Sequence, residues 1–111
     1  MQSGQIKGLA VTSAQRFHVF PYIPTFEEQG LTGFRATGWF GIVAPAGCSE
    51  EIVTKLNAAF VAALKDDDSI AKVHAQGMEP TPMSAAAFTD YIHTESKKWA
   101  DTIAQTKLKK N

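Results

Sequence analysis

Apolar positions along this chain change rhythm near residue 45. Before it they come in short runs suited to extended backbone; after it they recur every three or four residues. Residues 6–13 carry Leu9, Ala10 and Val11 without strict alternation, which predicts a strand covered on both faces. No helix precedes that strand to cover it, so the chain is expected to begin inside a fold. Residues 14–24 hold Arg16, Phe17, His18, Phe20, Pro21, Tyr22 and Pro24, and two prolines so close together favour an extended or polyproline path. Thr25 and Glu28 have the spacing of a capping box for a short helix over 26–29, which Gly30 closes. After a loop at 31–33, residues 34–44 form a long aromatic and β-branched run that ends at Pro45. This predicts a second strand, bent or bulged near Gly38 and Gly41. Those glycines either admit another backbone or mark a bend between two bodies.

From Ser49 onward the period is helical. Ser49 is a better capping acceptor than Cys48, and Glu50 and Glu51 then fall in a first turn where the helix dipole favours negative charge. Ile52, Val53, Leu56, Ala59, Phe60, Ala63 and Leu64 share one face. Asp66, Asp67 and Asp68 stop this helix, and Asp68 or Ser69 is expected to cap a short second one with Ile70, Ala71 and Val73 as apolar positions and Gly77 as its left-handed exit. Residues 78–82 hold two prolines and read as an extended connector or a very short edge strand. Ser84 caps a last helix whose stripe is Phe88, Tyr91, Ile92, Trp99 and Ile103, spanning roughly 30 Å at about 1.5 Å per residue. The expected fold class is α/β, with two main strands, two long helices and short helices.

Bulk properties narrow the function. With 111 residues the chain is one domain at most, and a 44% hydrophobic fraction is ordinary for a globular protein. Eleven basic residues balance eleven acidic ones, which leaves no basic footprint for nucleic acid. The cluster Lys107, Lys109 and Lys110 reads as a solvated helix end. Cys48 is the single cysteine, so no internal disulfide is possible, and this neither supports nor excludes an oxidising compartment. No apolar run approaches the roughly 18 residues of a spanning helix, so no membrane insertion is expected. Met1, Gln2, Ser3 and Gly4 show no signal-peptide pattern.

Candidate chemistry is sparse. His18, His74 and His93 have no second ligand at metal spacing, and surface imidazoles explain them. Cys48 at a helix start could have a lowered thiol pKa, but the sequence offers no nearby base, and a substituted cap position accounts for it. Gly38, Trp39, Phe40 and Gly41 lack the Lys-Ser/Thr ending of a phosphate loop. The three aspartates lack the alternating oxygen ligands of a calcium loop. Trp39 is either core or the wall of a ligand pocket. No catalytic residue, cofactor or metal site is expected.

Taken in order, these segments resemble the periplasmic receptors of tripartite tricarboxylate transporters, the Bug receptors. The likeness runs from residues 4–16 through 23–31, Gly38-Trp39-Phe40-Gly41, Ala44-Pro45-Ala46-Gly47, Glu51-Ile52-Val53, Leu56-Asn57 and Ala75-Gln76-Gly77 to the Trp99 helix. No single piece is decisive; their order and spacing carry the match. Cys48-Ser49 stands where the family has a Thr-Pro cap, and residues 20–24 replace a more acidic loop.

The resemblance implies a fragment of a type II periplasmic binding fold, two α/β lobes joined by a hinge that close on a small carboxylate, matching the C-terminal portion. It implies no catalysis, and hand-over of solute to a membrane permease. Residues 1–36 would be a remnant of the second lobe, 37–45 the hinge-crossing strand, and 46–111 the helical part returning to the first lobe. The family's main ligand-gripping loops lie upstream of the matched portion. Thr12 and Ser13 end the first strand, where open α/β sheets place their crevice, and Thr37 and Trp39 lie at the hinge; these four are the candidate solute neighbours. Each also has a structural reading, since pocket residues are few. Alone, such a fragment is expected to bind solute weakly or not at all. The rival reading is an interaction module with no ligand of its own, forming a homo-oligomer through exposed strand or helix faces.

Overall fold

The structure, a computed structural model, describes residues 5–106. The expectations for Met1 to Gly4 and for Lys107, Lys109 and Lys110 lie outside the described residues. The backbone divides into two compact units, Met1–Val43 and Ala44–Asn111.

In the second unit the helical period forms helices: α1 is Glu50–Ala63, α2 Asp67–Ala75 and α3 Ala85–Thr106. Ser49, in extended conformation, opens α1 by accepting from the Ile52 N–H at 3.4 Å. Glu50 and Glu51 occupy the first turn, and Glu51 pairs with Lys55 one turn on at 2.7 Å. The cap of α2 is Asp66, not Asp68 or Ser69. Its carboxylate accepts from the Ser69 N–H at 3.1 Å, which leaves Asp67 and Asp68 inside the first turn where their charge meets the N-terminal dipole. Gly77 leaves α2 with φ of 71°, a conformation costly for any residue with a Cβ. Ser84 starts α3, its Oγ accepting from Ala87 N–H at 3.1 Å.

α1 packs on α3, and Asn57 Nδ2 of α1 donates to the Met83 carbonyl just before α3 at 3.0 Å. The apolar stripe expected on α1 divides in two. Val53 and Leu64 are half-buried, whereas Ile52, Leu56 and Phe60 are exposed. On α3, Phe88, Tyr91 and Ile92 are half-buried while Trp99 and Ile103 are exposed. Glu95 lies buried between these stretches of α3; it accepts from Trp99 Nε1 at 3.1 Å and pairs with Lys98. Partnered on both oxygens, the carboxylate avoids the cost of an unpaired buried charge.

The first unit departs from expectation. The two main strands are absent among the described residues. What remains is one isolated parallel bridge, Val11 to Thr25, made by Val11 N–H on Pro24 O at 2.9 Å and Phe26 N–H on Val11 O at 3.0 Å. Residues 6–10 and 34–45 keep an irregular or extended path without being assigned as strand. The reason is physical: β-branched and aromatic composition favours extended backbone, but a strand is defined by a ladder with a neighbour, which composition alone does not supply. No bulge can exist without that ladder, and a Cβ added at Gly38 would meet nothing within 4 Å among the described residues. The helix expected over 26–29 is a hydrogen-bonded turn, Gln29 N–H to Thr25 O at 3.2 Å and Gly30 N–H to Glu27 O at 3.0 Å, with Gly30 at φ 93°. Its capping box forms as expected: Glu28 N–H donates to Thr25 Oγ1 at 3.1 Å and Thr25 N–H to Glu28 Oε2 at 2.7 Å. Ile23 and Thr25, beside the bridge in sequence, are buried at 2% and 3% exposure.

Candidate functional site

The segments that carry three of the four expected residues are joined by one backbone hydrogen bond. Thr12 follows the bridge, and its carbonyl accepts from the Ala36 N–H at 3.2 Å, which sets residues 12–13 beside residues 36–37. Thr12 and Ser13 are half-buried and Thr37 is exposed. The Ser13 hydroxyl donates to the Gln15 carbonyl at 2.6 Å, so it can still accept from a ligand. Trp39 lies two residues past Thr37 at 41% exposure.

The turn that follows the bridge carries two glutamates, each held by its own arginine. Arg16 Nε–H is shared between the two Glu28 oxygens at 3.1 and 3.0 Å, and its Nη1 donates to the Pro21 carbonyl at 3.1 Å. Glu27 accepts from Arg35 Nη2 and from the Gly33 N–H, both at 3.2 Å. The Arg16 hydrogen bond, then the Thr25 N–H, hold the Glu28 carboxyl below its ordinary range; Arg35 does the same for Glu27. The Glu28 carboxylate in turn raises the Arg16 pKa. Two ionised carboxylates already engaged by arginines are poor donors to a cation. Phe26 and Phe34 close the same turn with ring centroids 5.0 Å apart.

Sequence reading found the capping box but missed both ion pairs. Arg16 and Glu28 are twelve residues apart, a separation that no helical or strand period flags. An open depression of about 530 Å³ lies along Ile6, Lys7, Gly8, Leu9, Tyr22 and Pro24, and the four expected residues are not among its lining. In the second unit His74 Nε2 lies 3.2 Å from Glu79 Oε2, an imidazole–carboxylate pair. Cys48 is a half-buried free thiol. No described helix is long and apolar enough to cross a membrane.

The backbone path defines the class. The chain superposes on the periplasmic binding protein BugD with a TM-score of 0.76 at 29% identity, covering 100% of this chain and 38% of that one. A second match is R. palustris Rpa4515 with adipate, at TM-score 0.73 and 33% identity, covering 93% and 34%. Among curated proteins, BugT of Bordetella pertussis is 31% identical over 109 residues, which span 98% of this chain and 33% of BugT. A protein of the tcbD-tcbE intergenic region of Pseudomonas sp. strain P51 is 29% identical over 108 residues, 96% of this chain and 32% of that protein. Residues 1–108 match the family described as tripartite tricarboxylate transporter family receptor, and the chain belongs to that family. It spans about a third of the length of these two curated relatives.

Proposed function

We propose that this chain supplies part of a non-catalytic periplasmic receptor that binds a small carboxylate and passes it to a tripartite permease. The observation that carries the reading is the likeness, at 33% identity and TM-score 0.73, to the R. palustris protein whose structure is described with adipate. In this reading residues 1–36 belong to the second lobe, 37–45 cross the hinge, and 46–111 return to the first lobe. Thr12, Ser13, Thr37 and Trp39 face the solute. A carboxylate at that corner would draw on hydroxyl and backbone N–H donors, so specificity would come from hydrogen-bond geometry more than from net charge.

The test is a chimaera in which this chain replaces the matching third of the R. palustris protein. The folded chimaera should bind adipate in calorimetry, and Thr12→Val or Thr37→Val should weaken binding about tenfold, the scale of one lost hydrogen bond to a charged group. A cooperatively melting chimaera with unchanged affinity in both variants would remove these residues from the site. The 111-residue chain by itself should bind adipate weakly or not at all.

Self-association is the second reading, favoured by one observation. Phe40, Ile42 and Val43 are all exposed on an extended run, Phe40 at 89%. Extended backbone with bare apolar side chains is a template for pairing with another copy. Sedimentation velocity should show a dimer or larger species; a monomer at every concentration would sink it.

A further inference from the structure

We propose that Arg16 and Glu28 form a latch that holds residues 12–24 as a closed, self-packed loop, with Arg16 as its positioning residue. The loop begins and ends at one place, because the Val11–Thr25 bridge sets its two stems side by side. Loops whose ends meet in this way are held largely by their own side chains. Here the side-chain contacts are aromatic, between half-buried Phe17 and Phe20 and the exposed ring of Tyr22. Phe17 and Phe20 have ring centroids 6.3 Å apart, and Phe20 meets Tyr22 edge-on at 6.1 Å. Two turn bonds of 3.0 Å, Phe20 N–H to Phe17 O and Ile23 N–H to Phe20 O, fold the distal half.

Arg16 crosses this loop. It reaches Glu28 beyond the closing stem through Nε and the Pro21 carbonyl in the distal half through Nη1. A guanidinium can serve both because its donors are fixed in one plane; an ammonium on a flexible stem cannot reproduce that fork. Glu28 is in turn pinned by the Thr25 N–H, so near stem, far stem and distal turn meet on one arginine–carboxylate pair. The latch thereby fixes the Thr12–Ser13 corner where the loop opens. Its use in presenting that corner to solute rests on the receptor reading; the latch itself does not.

Amide hydrogen exchange by NMR on the full chain tests it. Arg16→Met should speed exchange at Val11, Phe20, Ile23 and Phe26 about three- to fivefold, the upper part of the range for an exposed ion pair, and leave α3 amides unchanged. Arg16→Lys should recover only part of that protection. Glu28→Gln keeps a capping-box acceptor while removing the charge. It should match Arg16→Met, and the double variant should add little, because both remove one interaction. Unchanged exchange in Arg16→Met, full recovery by lysine, additive effects, or equal acceleration throughout α3 would each overturn the latch. Adipate calorimetry on the chimaera reports separately on the receptor reading, and a null result there leaves the exchange result standing.

Discussion

Glu27 and Glu28 are adjacent in sequence yet serve different arginines, and that division gives the first unit its pH dependence. Both carboxyls titrate below their ordinary value of about 4.3 because an arginine donates to each. A group whose folded pKa is depressed contributes stability above its unfolded pKa and loses it as pH falls through the folded value. The loop around Arg16 should therefore be intact at neutral pH and loosen only as pH falls below the ordinary glutamate range, through the depressed folded value. Carbon-detected NMR titration should place the Glu28 midpoint below that of an exposed glutamate, and Arg16→Met should move it back up. A midpoint indifferent to Arg16 would contradict the pairing. The Thr25–Glu28 spacing is a local signal and was visible in sequence. The partner Arg16 was not, because a contact closed by a loop leaves no periodic trace.

At the scale of elements, helices were legible and strands were not. An α-helix satisfies its backbone from within one segment, so the three- and four-residue steps of Ile52, Val53, Leu56, Ala59 and Phe60 suffice to announce α1. A strand completes its hydrogen bonds on a neighbour. Residues 34–44 carry every compositional mark of one, yet the described chain pairs only at the Val11–Thr25 bridge. Boundaries are a finer matter: three consecutive aspartates offer three caps, and Asp66 takes the role because the next two then sit in the first turn. Asp66→Ala should cost about 1 kcal/mol of local stability, seen as lost α2 helicity in NMR shifts, whereas Asp68→Ala should cost markedly less. Equal effects would return the cap assignment to an open choice among the three. Of the candidate site, sequence placed Thr12 and Ser13 at a strand end and Thr37 at a hinge. That these segments touch, through Ala36 N–H on Thr12 O, was not deducible, since nothing in either segment names the other.

At the scale of the whole molecule, the contrast lies between the little apolar surface the described residues bury and the amount they leave exposed. Ile23 is the buried hydrophobic residue among those described, while Phe40, Ile42, Val43, Leu56 and Ile103 remain exposed. Yet the backbone path matches periplasmic binding proteins about three times as long, with a TM-score of 0.76 to BugD. Turns, caps and ion pairs are local, so they can hold a path that buries little apolar surface of its own. Energetics should follow this division. Ile23→Ala removes the buried apolar anchor beside the bridge and should destabilise the first unit by about 2 kcal/mol, the low end for a buried large-to-small change. Phe40→Ser removes a larger side chain but one already in water, so stability should stay within about 0.5 kcal/mol while any self-association in sedimentation falls. Denaturant titration of the two variants decides the matter. If Phe40→Ser proved the more damaging, its ring would belong to a packed interior, and the exposed apolar run would no longer speak for a surface awaiting its partner.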